Sequence, residues 1–90
     1  MREIYRENQL KKDYKKVKEQ GRDLEKLKTV ITLLAEVKKL PEKYNDHPLH
    51  GNLKNYRDSH IRGDWVLLYK IDGNRLILSR TGSYAEVLGV

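Results

Sequence analysis

The chain has no cysteine, only two prolines and no long apolar run, and each shortage narrows what it can be. Without cysteine there is no disulfide staple, so whatever core forms must hold by packing alone. A bilayer-crossing helix needs roughly 20 apolar residues, and the richest run, Val30 to Val37, is broken by Thr32 and Glu36. The N-terminus alternates charged and apolar side chains, Met1-Arg2-Glu3-Ile4-Tyr5, with nothing like a signal peptide. The expectation is a cytoplasmic protein with no membrane partner. Ninety residues make a single domain, 1–90, and exclude a large multi-step enzyme. Also missing are an RNP-type aromatic strand, a Gly-rich phosphate loop and a zinc knuckle, so a general RNA- or DNA-binding domain lacks its usual marks.

Positive charge, by contrast, is abundant. Nineteen Lys and Arg face thirteen Asp and Glu, a net charge of +6, which favours an anionic partner. The excess sits in the first half: residues 1–45 hold thirteen basic and eight acidic side chains, residues 46–90 six and five.

Periodicity predicts an α+β chain. Residues Arg2 to Arg6 read as a short strand centred on Ile4. Leu10, Tyr14 and Val17 form one stripe of a helix over Asn8 to Gln20, ringed by Lys11, Lys12, Lys15, Lys16 and Lys18, with Asn8 as its cap and Gly21 as its end. A second helix begins after Asp23, follows Leu24, Leu27, Val30, Ile31, Leu34 and Val37, and is stopped by Pro41. The short link between them folds the two into an antiparallel hairpin. Pro41 to Leu53 reads as a loop. Asn55 to Ile61, Trp65 to Ile71 and Arg75 to Ser79 read as strands divided by Gly63-Asp64 and Asp72-Gly73-Asn74, an antiparallel meander. The expected architecture is the helical hairpin packed on one face of a small antiparallel sheet that the N-terminal strand joins.

All three histidines fall between His47 and His60. Imidazole gives and takes protons near neutral pH, and nearby carboxylates orient and charge it. Arg57, Lys54 and Arg80 supply the fixed positive charge that a phosphodiester requires in its pentacovalent transition state. RNA brings its own nucleophile, the 2′-hydroxyl, so such a set suits RNA cleavage. Plainer readings compete with this one. Scattered surface histidines need no function, and Trp65 is by default a core residue, although it could also stack a base. A lysine-rich helix is either a solvated face or an anchor for RNA phosphates. His47 and His50 could share zinc only on a helix, and Pro48 between them argues against one, so no metal is expected.

The order Lys43-Tyr44-Asn45-Asp46-His47-Pro48-Leu49, Gly51, Tyr56-Arg57-Asp58-Ser59-His60, Asp64-Trp65-Val66-Leu67-Leu68-Tyr69-Lys70 and Arg80-Thr81-Gly82-Ser83 resembles the YafQ branch of the RelE toxin superfamily nearly end to end. That resemblance implies a RelE-like fold and a metal-independent, cofactor-free, ribosome-dependent endoribonuclease acting on mRNA. It also implies a cognate antitoxin, with any DNA contact made only through that partner. Carried over by position, His47 and His60 resemble the active-site histidines, Asp64 the catalytic carboxylate and Arg80 the phosphate-facing cation. Tyr84 stands where the family usually has a histidine as general acid, and Leu88 stands at an aromatic position. Lys11, Lys12, Lys15, Lys16, Lys54, Arg57, Trp65 and Leu88 are the expected RNA- or ribosome-binding residues. Since a tyrosine with pKa about 10 is a weaker acid than imidazolium, the rival expectation is a toxin fold that still binds antitoxin and ribosome but has lost its nuclease.

Overall fold

The computed structural model describes residues 1–89. Strand β1 (Glu3–Arg6) leads into helices α1 (Asn8–Glu19) and α2 (Leu24–Ala35). After a segment carrying two single 3₁₀ turns and the two-residue strand β2 (His47–Pro48) come β3 (Arg57–Arg62), β4 (Trp65–Asp72), β5 (Arg75–Ser83) and α3 (Tyr84–Leu88). Among the described residues no helix is long and apolar enough to cross a membrane.

The turn between α1 and α2 follows from Gly21. At φ +75° it takes the left-handed conformation that lets its N–H reach the Lys18 carbonyl and the Arg22 N–H reach that of Val17, so the last carbonyls of α1 are satisfied. Asp23 then caps α2 by accepting from the Glu25 N–H at 3.1 Å. Two expectations fail here. Asn8 is the first helical residue and not a cap, and Glu7 before it makes no side-chain capping bond. Helix α2 stops at Ala35, well before Pro41, because Val37 turns left-handed at φ 61° and its N–H and that of Lys38 close back onto Leu34 and Leu33. Val37 therefore leaves the apolar stripe and is exposed. Tyr14 leaves it too, since the residues that α1 buries are Leu10, Asp13 and Val17.

The five strands form one sheet in the order β1-β5-β4-β3-β2. Strands β2 to β5 are antiparallel to their neighbours, but β1 runs parallel to β5, Ile4 opposite Leu76 and Arg6 opposite Leu78. The sheet is thus mixed, which corrects the all-antiparallel expectation: the helical hairpin is a crossover, and it returns the chain to the sheet on the far side. The predicted loop also contributes, since His47 and Pro48 pair with Asp58 and Arg57.

Central strand β4 is buried on both faces. Trp65, Leu67 and Tyr69 join Leu10, Val17, Leu27, Val30 and Leu34 in the main core under the helices. Val66 and Leu68 point the other way, against Val87 of α3, with Leu49, Tyr56 and Leu88 around them. Two register shifts punctuate the sheet, one between His60 and Arg62 and one between Leu68 and Tyr69. The second leaves Ser79 without an opposite number, so that Arg80 faces Leu68. Strand β5 also runs four residues past its expected end at Ser79, into α3, which periodicity did not reveal.

Candidate active site

The face of the sheet away from the helical hairpin carries the histidines. Side chains alternate along β3, so Asp58 and His60 share that face, and β2 sets His47 directly opposite Asp58. The His47 Nε2 lies 3.6 Å from Asp58 Oδ2 and the His60 Nε2 3.5 Å from the same oxygen. Asp58 is fully buried while both imidazoles are partly open, His47 at 36% and His60 at 28% side-chain exposure. Neither carboxylate oxygen has a hydrogen-bond partner among the described residues. Burial pushes the Asp58 carboxyl above its ordinary pKa, and His60 and His47 pull the other way. The line continues outward: the His60 ring is 5.9 Å from that of His47 and 6.0 Å from that of Tyr84.

His47 is fixed from behind. Asn45, left-handed at φ 43°, turns its carbonyl 2.7 Å from His47 Nδ1. That nitrogen therefore carries a proton, and the Nε2 facing Asp58 bears a second proton only when the ring is an imidazolium. The neighbouring Asp46 is anchored through the sheet, accepting from the Tyr69 hydroxyl at 2.7 Å and facing Arg57 Nε at 3.4 Å. Burial, and next the bond to Asp46, holds the Tyr69 phenol well above its ordinary range.

The remaining expected residues fall in different places. Asp64 is not brought to the histidines. Its side chain is 68% exposed in the β3–β4 turn, 3.7 Å from Arg22 Nη1, while its backbone carbonyl accepts from the Tyr84 N–H at 2.7 Å. Trp65 is buried, donates to Thr81 Oγ1 at 2.9 Å and lies under the Arg22 guanidinium, so it presents no face to a base. Arg57 sits on the helix side of the sheet with Asp46 and Tyr69, turned away from the imidazoles by strand alternation. Leu88 packs on the apolar wall beside Val66 and Leu68.

Lys11, Lys12, Lys15 and Lys54 are exposed and make no ion pair among the described residues. Lys16 reaches across to Glu86 of α3, which joins the lysine helix to the helix bearing Tyr84. Ser83 caps α3 by accepting from the Glu86 N–H at 3.2 Å, and Tyr84 is its first residue. Arg80 donates from Nε and Nη2 to Asp13, at 3.1 and 3.2 Å, and this pairing raises the guanidinium above its already high ordinary pKa.

Three carboxylates that matter to the geometry, Asp58, Asp13 and Asp46, carried no assigned role in the sequence. For Asp58 the available signal was its i, i+2 spacing to His60 in a strand; for Asp13, its place between Leu10 and Val17. A base or acid at each imidazole, a carboxylate to charge them and a phenol at the rim amount to proton-transfer machinery. The same three groups also offer a ligand set: one atom each from His47, Asp58 and His60 lie within 4.8 Å of one another. The bare, buried carboxylate and the two nitrogens facing it fit a borderline transition-metal cation.

A family model described as the bacterial toxin of type II toxin–antitoxin systems, YafQ, matches residues 2–89. The chain belongs to the YafQ family. The mRNA interferase toxin YafQ of Escherichia coli K12 is 42% identical over 89 residues, 98% of this chain and 97% of that one. Among solved structures, the E. coli DinJ–YafQ complex aligns with a TM-score of 0.90 at 40% identity, covering 99% of this chain and 100% of the matched one. A copper-bound variant of a Helicobacter pylori toxin aligns with a TM-score of 0.94 at 33% identity over 97% of this chain and 99% of that one. The YafQ fold is thus common to chains crystallised with an antitoxin and with a metal.

Proposed function

We propose that this chain is the endoribonuclease of a toxin–antitoxin pair, cutting mRNA on the ribosome without a metal. The observation that carries the reading is the His47–Asp58–His60 cluster, its two imidazoles partly open to solvent, with Tyr84 at its rim. An imidazole removes the proton of the 2′-hydroxyl, and Asp58 stabilises the imidazolium that forms. The 2′-oxygen bonds to phosphorus, Arg80 offsets the extra charge of the phosphorane, and the bond from phosphorus to the 5′-oxygen breaks as Tyr84 protonates that oxygen. The products are a 2′,3′-cyclic phosphate and a 5′-hydroxyl. Asp58 takes the carboxylate role expected of Asp64, whose exposed side chain pairs with Arg22.

The substrate places the activity in the cytoplasm. Lys11, Lys12, Lys15 and Lys54 supply fixed charge for ribosomal RNA. The cognate antitoxin is an acidic chain suited to the +6 surface. The test is 5′-end mapping of a defined mRNA on programmed ribosomes, with the chain as it stands and with Tyr84→His. Site-specific cleavage by the unaltered chain makes Tyr84 a working acid. Cleavage only after Tyr84→His marks an attenuated toxin that acts chiefly by binding, and cleavage by neither rejects the nuclease.

A second reading rests on the bare Asp58 oxygens and on the copper-bound relative. His47, Asp58 and His60 would hold a copper or zinc ion, which would supply a Lewis acid. Because the ion would occupy the nitrogens that carry protons in the first reading, metal binding and metal-free cleavage exclude each other. Chelator leaves cleavage intact if the first reading holds, with magnesium kept for the ribosomes, and abolishes it if the metal is catalytic.

A further inference from the structure

We propose that Asp13 is a positioning residue that holds Arg80 ready for the phosphate; this rests on the reading of Arg80 as the phosphate-facing cation. The stripe that α1 buries runs Leu10, Asp13, Val17, an acid where a core residue is expected in a lysine-rich helix. Asp13 is 6% exposed and every lone-pair direction is used. Its Oδ2 accepts from Arg80 Nε at 3.1 Å and the Thr81 N–H at 3.2 Å; Oδ1 accepts from Arg80 Nη2 at 3.2 Å and from Gln9 Nε2 at 3.0 Å. The Glu86 carbonyl takes a further bond from Arg80 Nη1 at 3.2 Å.

Three of the five N–H groups of the guanidinium are thereby engaged, and the side chain remains 33% exposed. Two donors are left, on a head that cannot swing. Register sets the Arg80 side chain off from the same face as Asp58: Arg80 opposes Leu68, and Leu68 opposes Asp58. An untethered arginine loses rotamer freedom when it grips a phosphate, whereas this one is already ordered when RNA arrives. A lysine could not replace it, having no fork to share between a carboxylate and a phosphate.

Asp13 also closes the edge of β5. Strand β1 pairs with β5 as far as Leu78, and the buried Thr81 N–H beyond it bonds to Asp13. That duty needs a single bond. The fork to Arg80 exceeds it, and the experiment separates the two roles. Single-turnover cleavage on programmed ribosomes is measured for the chain, Asp13→Asn, Arg80→Ala and the double variant, each in the Tyr84 and in the Tyr84→His background, alongside the NMR signal of the Arg80 Nε–H.

Asp13→Asn is expected to lower the rate at saturating ribosome about 10-fold or more while changing half-saturation less than about 2-fold. The double variant should be no slower than Arg80→Ala. In Asp13→Asn the Arg80 Nε–H should exchange rapidly while the backbone amide spectrum keeps its folded dispersion. A loss that persists in the Arg80→Ala background assigns Asp13 to fold maintenance and overturns the proposal. Full activity of Asp13→Asn beside a slow Arg80→Ala overturns it but leaves the reading of Arg80 standing. Full activity of Arg80→Ala, or no cleavage in either background, removes that reading and this proposal with it.

Discussion

Asp13 and Asp58 are both buried carboxylates on the same small sheet, and their surroundings are opposite. Asp13 receives four hydrogen bonds from Gln9, Arg80 and Thr81. Asp58 receives none among the described residues and faces two imidazoles at 3.5 and 3.6 Å. A buried charge is tolerable when its lone pairs are used, and costly otherwise. The first arrangement is what holding a structure together requires. The second leaves a buried carboxylate unsatisfied beside two imidazoles, a cost to stability that the proposed proton transfer accounts for.

The sharpest way to break this contrast is to neutralise Asp58. Asp58→Asn, like His60→Ala, should slow ribosomal cleavage by about 10²–10⁴-fold, read by primer extension on a single message; unchanged cleavage would move the carboxylate role elsewhere. Asp13→Asn should destabilise the fold by about 2 kcal/mol, measured by urea unfolding, because the amide loses the charge and keeps one acceptor oxygen where Gln9, Arg80 and Thr81 now share two.

The opposite sign is expected for Asp58→Asn, a gain of about 1 kcal/mol near neutral pH. Since burial raises the Asp58 pKa in the folded state, this carboxyl favours folding fully below its ordinary value of 3.8, and that support is lost as pH rises through the raised folded value. The advantage of Asn should therefore disappear on acidification, and a gain that stays constant with pH would contradict the assignment. The smallest effect belongs to the half-buried Asp46, which has one strong partner. Tyr69→Phe should cost about 1 kcal/mol, measured by urea unfolding, because Asp46 loses its hydroxyl donor.

Both members of that contrast escaped the sequence reading for the same reason. Periodicity reports where apolar side chains recur, and it located α1, α2 and the three long strands because Leu27, Val30, Leu67 and Leu78 obey it. Gly21 and Asp23 were legible as punctuation because their roles are local. Asp13 breaks the apolar pattern at the point that carries meaning, and its partners lie 67 and 68 residues away. Asp58 meets His47 only through a register that a two-residue strand sets. Motif order brought His47, His60, Arg80 and Tyr84 to notice, but Asp64, on the same evidence, turned out to face Arg22. The parallel sense of β1 was hidden because a strand's sequence names neither its neighbour nor its direction.

That parallel pairing has a consequence in time. Strand β1 and the turn after it can find no partner until β5 exists: Glu7 meets Ser79 across 72 residues of chain. Contacts so distant in sequence form late, after the entropy of closing a long loop has been overcome. Arg80 and Tyr84 lie at or beyond this closing strand. The helical hairpin can therefore emerge from a translating ribosome and begin to fold before Arg80 and Tyr84 exist, so the proposed site is assembled only at the end of the chain's own synthesis.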